Sequence, residues 1–212
     1  MRKFIFVFFI LTSYSVKAQK LEFSLSGGTG KTYIIESLDK SVDVNYGLPL
    51  SMTTELKFTP QNSKWGLKIR LHDIQSAMFG QNWMPNMAGG INGYISSRST
   101  FLLLENTINK NKSTFGFNFG LGYTNETRLD NKDSPWDKVS NKYPTLTFGA
   151  NFSFKINNEL DFQILPIVLV QDPFRSISYL TGKLEPTLAG EDLSILINFG
   201  IRYNILRNLQ PD

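Results

Sequence analysis

Residues 193–205 read LSILINFGIRYNI, and the alternation in that stretch decides what kind of molecule this is. Leu193, Ile195, Ile197, Phe199, Ile201 and Tyr203 share one phase, while Ser194, Leu196, Asn198, Gly200, Arg202 and Asn204 share the other. A period of two sustained over so many residues describes a strand with one apolar and one largely polar face. A helix would scatter the same residues around its circumference.

The pattern recurs upstream. Leu48, Leu50, Met52, Leu56 and Phe58 stand opposite Ser51, Thr53, Glu55 and Lys57; Trp65, Leu67, Ile69 and Leu71 stand opposite Gly66, Lys68, Arg70 and His72. Phe115, Phe117, Phe119, Leu121 and Tyr123 alternate with Gly116, Asn118, Gly120 and Gly122, and Leu146 to Ile156 alternates in the same way with Thr145 to Lys155. After an Asn157-Asn158 turn, Leu160, Phe162, Ile164, Val168 and Val170 continue it. A first strand near 20–35 and a less regular one near 89–105 bring the number to eight. In the fourth, Ser97 and Ser99 share a phase with Ile91 and Ile95, and residues 101–104 are apolar on both phases, which predicts a bulge or register change.

Connections at 60–64, 106–112 and 157–158 are short; those at 36–45, 79–88, 125–142 and 171–190 are long. They alternate strictly, so the long loops gather at one end and both termini at the other. An even strand number with short turns on one side and long loops on the other is the pattern of an outer-membrane barrel. A soluble sandwich or lipocalin-like barrel would turn its apolar face inward and charge its outer face. Here the polar face is Gly, Ser, Thr and Asn with scattered charges, which suits a narrow lumen. Phe58, Trp65, Phe115, Phe154, Phe162 and Tyr203 fall at the short-turn ends of the apolar phase, and Tyr33, Tyr46 and Tyr123 at the long-loop ends, as two interfacial girdles.

The chain begins with Arg2 and Lys3, an apolar run from Phe4 to Leu11, and Val16-Lys17-Ala18, the layout of a secretory signal peptide over residues 1–18 cleaved before Gln19. The run is too short for a spanning helix. Cleavage removes three bases and no acid, so the formal charge of +4 from 22 bases and 18 acids drops to +1. A balanced chain argues against a nucleic-acid footprint. With no cysteine there is neither a disulfide framework, a thiolate metal site nor a lipid-anchor cysteine, and no cofactor is expected. Residues 19–212 are read as one barrel domain. No later apolar stretch is long enough for a spanning helix, and a closed barrel is the other structure that satisfies every backbone group in lipid.

Residues 27–32, GGTGKT, imitate a phosphate-binding loop. That loop requires a glycine at position 25, where Leu25 stands, and a helix after it. Asp172 beyond the run 164–170 offers no convincing magnesium strand, because Pro166 interrupts it. The stretch is read as barrel strand, with Glu22, Ser24, Ser26, Gly28 and Gly30 facing the lumen, and no nucleotide is expected.

In sum of pattern the chain resembles the small eight-stranded outer-membrane barrels, similar in architecture to the membrane domain of OmpA and to OmpX. Residues 198–205, NFGIRYNI, are similar to the terminal-strand signal of that family, with Asn198, Gly200, Tyr203 and Ile205 in the matching positions. The resemblance implies an all-β, antiparallel up-and-down transmembrane β-barrel, outer-membrane lipid as its surroundings, and the barrel-assembly machinery as its partner in biogenesis. Residues 206–212 depart from the pattern by continuing past the strand.

The expected lumen ladder is Glu22, Glu55 and Asp161 against Lys57, Lys68, Arg70, Arg98, Lys155 and Arg202, with His72 among them and a positive excess. Charges so placed must pair. His72, the one histidine, is the candidate general base of a lipid-modifying enzyme, with Ser76 on the same phase. In the outer-membrane lipid A deacylases the histidine and serine stand two apart, and here Ile74 holds that place. Phe79, Trp83, Met84 and Met87 make the second long loop apolar, a candidate contact for an envelope protein. The leading reading is a non-catalytic structural or interaction component of the envelope; the alternatives are the His72 enzyme and a narrow channel or small-ligand carrier.

Overall fold

A computed structural model of the chain describes residues 20–34, 42–82, 89–110, 112–130, 139–173 and 192–206, so the signal-peptide segment lies outside the described residues. Nine strand segments run through them: β1 Lys20–Ile34, β2 Val42–Tyr46, β3 Leu50–Thr59, β4 Trp65–Asn82, β5 Gly89–Lys110, β6 Ser113–Asp130, β7 Val139–Lys155, β8 Leu160–Gln171 and β9 Asp192–Leu206. Every pairing is antiparallel: β1 pairs with β3, both β2 and β3 pair with β4, each strand from β4 onward pairs with the next, and β9 pairs with β1 to close the ring.

β2 and β3 are two halves of one wall strand, so the barrel has eight. Both pair with β4, and between Tyr46↔Met78 and Leu50↔Gln75 the three residues 47–49 face only Ser76 and Ala77. One extra residue makes a β-bulge, and it inverts the inside–outside phase of Asn45 and Tyr46 relative to β3. Tyr46 therefore points into the barrel, 3% exposed, with its hydroxyl 3.2 Å from Asp192 Oδ2. The expectation that it joins the outer aromatic girdle is corrected: alternation counted straight through Gly47-Leu48-Pro49 gives the wrong side.

The irregularity expected in the fourth strand is absent. β5 keeps one register against β4 from Gly89 to Asn106 and against β6 from Gly93 to Lys110. Its doubly apolar stretch is a strand buried on one face and exposed on the other, with Phe101 and Leu103 inside and Leu102 and Leu104 outside. β4 to β7 also run beyond their expected ends, so the connections at 79–88, 106–112 and 125–142 contract to 83–88, 111–112 and 131–138. Residues 124–127 are polar on both phases. Alternation ends where both faces leave the apolar layer, but backbone pairing does not.

Partners followed around the ring run Glu22, Lys57, Lys68, Leu103, Gly120, Thr147, Leu169, Ser194 and back to β1 at Thr32, ten residues beyond the start. Eight strands with that stagger tilt by about 40° to the barrel axis. The tilt brings Phe58, Trp65, Phe115, Phe154, Phe162 and Tyr203 to within about 3 Å of one level, a true ring at the short-turn end.

GGTGKT lies inside β1. A Cβ on Gly28 would strike the Ile197 carbonyl and Asn198, and one on Gly30 the Ile195 carbonyl, both on β9. The glycines let β1 lie against β9 where the barrel closes, which is why the stretch spells like a phosphate loop without being one. At Pro166 the β7 ladder lapses for residues 165 and 166 and resumes in the same register, as expected for a residue without an N–H.

Candidate functional site in the barrel lumen

Eight buried charges form one alternating chain in the lower lumen. Asp161 Oδ2 meets Arg202 Nη2 at 2.7 Å, and Arg202 Nε meets Glu22 Oε1 at 3.1 Å. Glu22 Oε2 lies 3.5 Å from Lys57, which bonds Glu105 Oε1 at 2.6 Å. Glu105 Oε2 meets Lys68 at 2.5 Å, Lys68 meets Glu55 Oε2 at 3.1 Å, and Glu55 Oε1 accepts from Arg70 Nε at 2.7 Å. Arg70 then crosses to Asn118 Oδ1 at 3.2 Å on β6 and Thr147 Oγ1 at 3.3 Å on β7. Burying an ion costs several kcal/mol unless it is paired and hydrogen-bonded. Here every link has an opposite charge on either side or a polar terminus, so the chain ties β1, β3, β4, β5, β8 and β9 to one another.

Glycine makes the room. A side chain on Gly66 would run into Lys57 at 2.8 Å, and one on Gly116 into Glu105 at 3.0 Å. The long charged side chains lie over positions where the adjacent strand has none.

Of the expected ladder, Glu22, Glu55, Lys57, Lys68, Arg70, His72, Asp161 and Arg202 are buried in the lumen. Arg98 is not: its side chain is 78% exposed on the outer wall, 2.7 Å from Asp73 Oδ1. The inward phase of β5 is the one carrying Ile95, Ser97, Ser99 and Phe101, so a polar residue on the other phase faces out. Lys155 has the inward phase but lies at the strand end and is exposed. Glu105, fully buried, belongs to the chain and was missed. Its signal was present in the alternation of β5, obscured by the apolar residues 101–104 before it. With Arg98 and Lys155 out and Glu105 in, four acids meet four bases, and the expected positive excess disappears.

Beside and above the charges the lumen carries apolar side chains. Ile74, Phe101, Leu103, Leu165, Ile167, Leu169 and Leu196 form one buried cluster, several of them fully shielded. These residues share the polar phase in their strands, and Leu103 and Phe101 pair directly with the positions of Lys68 and Arg70, so the lumen has an apolar flank rather than being polar throughout. Higher still, Thr124 Oγ1 sits 2.7 Å from Ser99 Oγ and 2.6 Å from Thr145 Oγ1, and the Tyr143 hydroxyl lies between Glu126 Oε2 at 2.5 Å and Gln171 Oε1 at 2.9 Å.

His72 has a serine, though not the expected one. Its Nε2 lies 2.8 Å from Ser51 Oγ, to which Asn198 Nδ2 also donates at 3.0 Å, while Ser76 donates to the Gly47 and Ala77 carbonyls. Its Nδ1 meets no hydrogen-bonding partner, so the carboxylate that orients a catalytic imidazole is missing. His72 and Ser51 are 0% and 2% exposed, beyond the reach of a lipid acyl ester. Among the described residues no group of three histidines or acids is placed to hold a metal ion.

On β9, Asn198 and Gly200 face inward, while Tyr203 and Ile205 face outward. Phe79 lies on the outer face of β4, half exposed; Trp83, Met84 and Met87 lie outside the described residues.

No protein-family model matches the chain, and no curated protein matches it in sequence. Solved structures do match its fold. Neisserial surface protein A aligns with 10% identity and a TM-score of 0.54 over 87% of this chain and 97% of its own. Ail, the attachment invasion locus protein of Yersinia pestis, solved with the heparin analogue sucrose octasulfate, aligns with 14% identity and a TM-score of 0.53 over 89% and 99%. The outer membrane protein OprG of Pseudomonas aeruginosa aligns with 10% identity and a TM-score of 0.52 over 89% and 96%. At these identities the likeness establishes the fold, and the fold is that of the small outer-membrane β-barrels.

Proposed function

We propose that this barrel of the outer-membrane type serves as a non-catalytic structural or interaction component of the bacterial envelope, acting through its outer wall and long-loop end. The observation that carries the reading is the filled lumen. Ion pairs occupy its lower half, and Phe101, Leu103, Leu165, Ile167, Leu169 and Leu196, with buried His72, Ser51, Thr53 and Asn198 beside them, fill its middle. Buried side chains fill the described lumen, and an eight-stranded barrel is narrow enough for them to do so. The outside supports membrane residence: Phe23, Leu25, Leu56, Ile69, Leu102, Phe117, Phe148, Ile197 and Phe199 are all at least 38% exposed. In water such a wall would be an aggregation surface; in lipid it is the solvated one.

Two measurements test the reading. The purified, folded protein in a planar bilayer should pass no steady current at 100 mV, and stable unitary conductance would overturn the plugged lumen. Cells carrying His72→Gln should keep an unaltered lipid A profile, and a changed acylation pattern would restore the enzyme.

A further inference from the structure

Every corner of the short-turn end carries lysine. Lys64 precedes β4, Lys110 and Lys112 border the β5–β6 turn, Lys155 ends β7, and Lys20 opens β1 beside the end of β9. Lys64, Lys110, Lys112 and Lys155 are exposed, and Lys20 is partly so while reaching Glu22 at 2.9 Å. Glu159 is the one exposed acid at this end among the described residues, since Glu22, Glu105 and Asp161 are held in the buried chain. The depth of these lysines is equally consistent. Lys64 adjoins Trp65 and Lys155 adjoins Phe154, and the barrel tilt sets all five about 4–8 Å beyond the aromatic ring.

We infer that this collar binds the anionic headgroups of phospholipids in the leaflet at the short-turn end. The inference rests on membrane residence. Two features favour lipid over a protein partner. The lysines surround the barrel instead of crowding one side, as annular lipid does. They also stand at headgroup depth beyond the aromatics, where an exposed ammonium meets phosphate. The four acids and four bases of the lower-lumen chain cancel one another, so the charges nearest the collar do not oppose its field.

Trp65, outward and half exposed beside Lys64, is a built-in reporter. With Trp83→Phe and Trp136→Phe it becomes the sole tryptophan. The protein is folded into phosphatidylcholine vesicles containing equal fractions of brominated phosphatidylglycerol or brominated phosphatidylcholine, and Trp65 quenching is compared. The anionic lipid should associate about threefold or more strongly, and the preference should fall to parity in 1 M salt. It should also fall to parity in the Lys64→Gln, Lys110→Gln, Lys112→Gln, Lys155→Gln variant. Equal quenching in the parent, or a preference that survives both salt and substitution, overturns the collar. Heat-modifiable migration from the same vesicles reports insertion separately, so a protein that never inserts refutes membrane residence rather than lipid selectivity. If the fourfold variant fails to fold, the salt titration of the parent decides.

Discussion

Glu105 and Arg98 are seven residues apart on one strand and differ in almost every energetic respect. Glu105 bridges Lys57 and Lys68 inside the lumen at 2.6 and 2.5 Å. Glu105→Leu leaves two buried ammonium groups short of a counter-charge and should destabilise the barrel by about 3–5 kcal/mol, read as a lower temperature for loss of heat-modifiable migration. Arg98→Leu removes an outer-wall pair that touches none of the lumen chain and should lower that temperature much less. Equal effects would mean that the lumen chain is not the stabilising element. The difference between these residues was only partly legible: Glu105 and Arg98 lie on opposite phases, but β5 carries apolar residues on both, so its sequence does not say which phase is inside.

At the scale of the strand, the closing seam and the bulge carry the fold. Gly30→Val places a branched side chain against the Ile195 carbonyl on β9. We expect it to abolish the heat-modifiable form, whereas Gly27→Val, outward and with its nearest neighbour at 3.6 Å, should retain it. Retention by both would show that the β1–β9 seam tolerates a side chain on its inner face. The bulge is tested by side-chain direction. Since the chain has no cysteine, Tyr46→Cys and Tyr94→Cys each give a single thiol. A bulky maleimide added to intact cells should label the variant at 94, which is 69% exposed, and spare the one at 46. Equal labelling would put residue 46 outside and remove the phase inversion. The bulge itself had a cue in Gly47 and Pro49, two residues ill suited to a regular ladder.

Over the whole molecule, the amino-acid sequence by itself determined that the chain forms an antiparallel barrel with its apolar side chains outward. Period-two alternation, the order of short and long connections and the aromatic strand ends are all local or counted along the chain. It also determined that GGTGKT is strand, because Leu25 and the continuing alternation exclude the loop. Only the tertiary structure decided what the lumen contains. Which charges pair depends on register and closure: register sets Lys57 of β3 and Lys68 of β4 within reach of Glu105 of β5, and closure sets Glu22 of β1 against Arg202 of β9. The apolar cluster depends on closure as well, because Leu103 of β5 meets Leu165 of β8 and Leu196 of β9 only once the sheet closes. Alternation says which face a residue takes; the height at which it meets others is set by closure, tilt and one extra residue at 47–49, properties of the ring that no single strand contains.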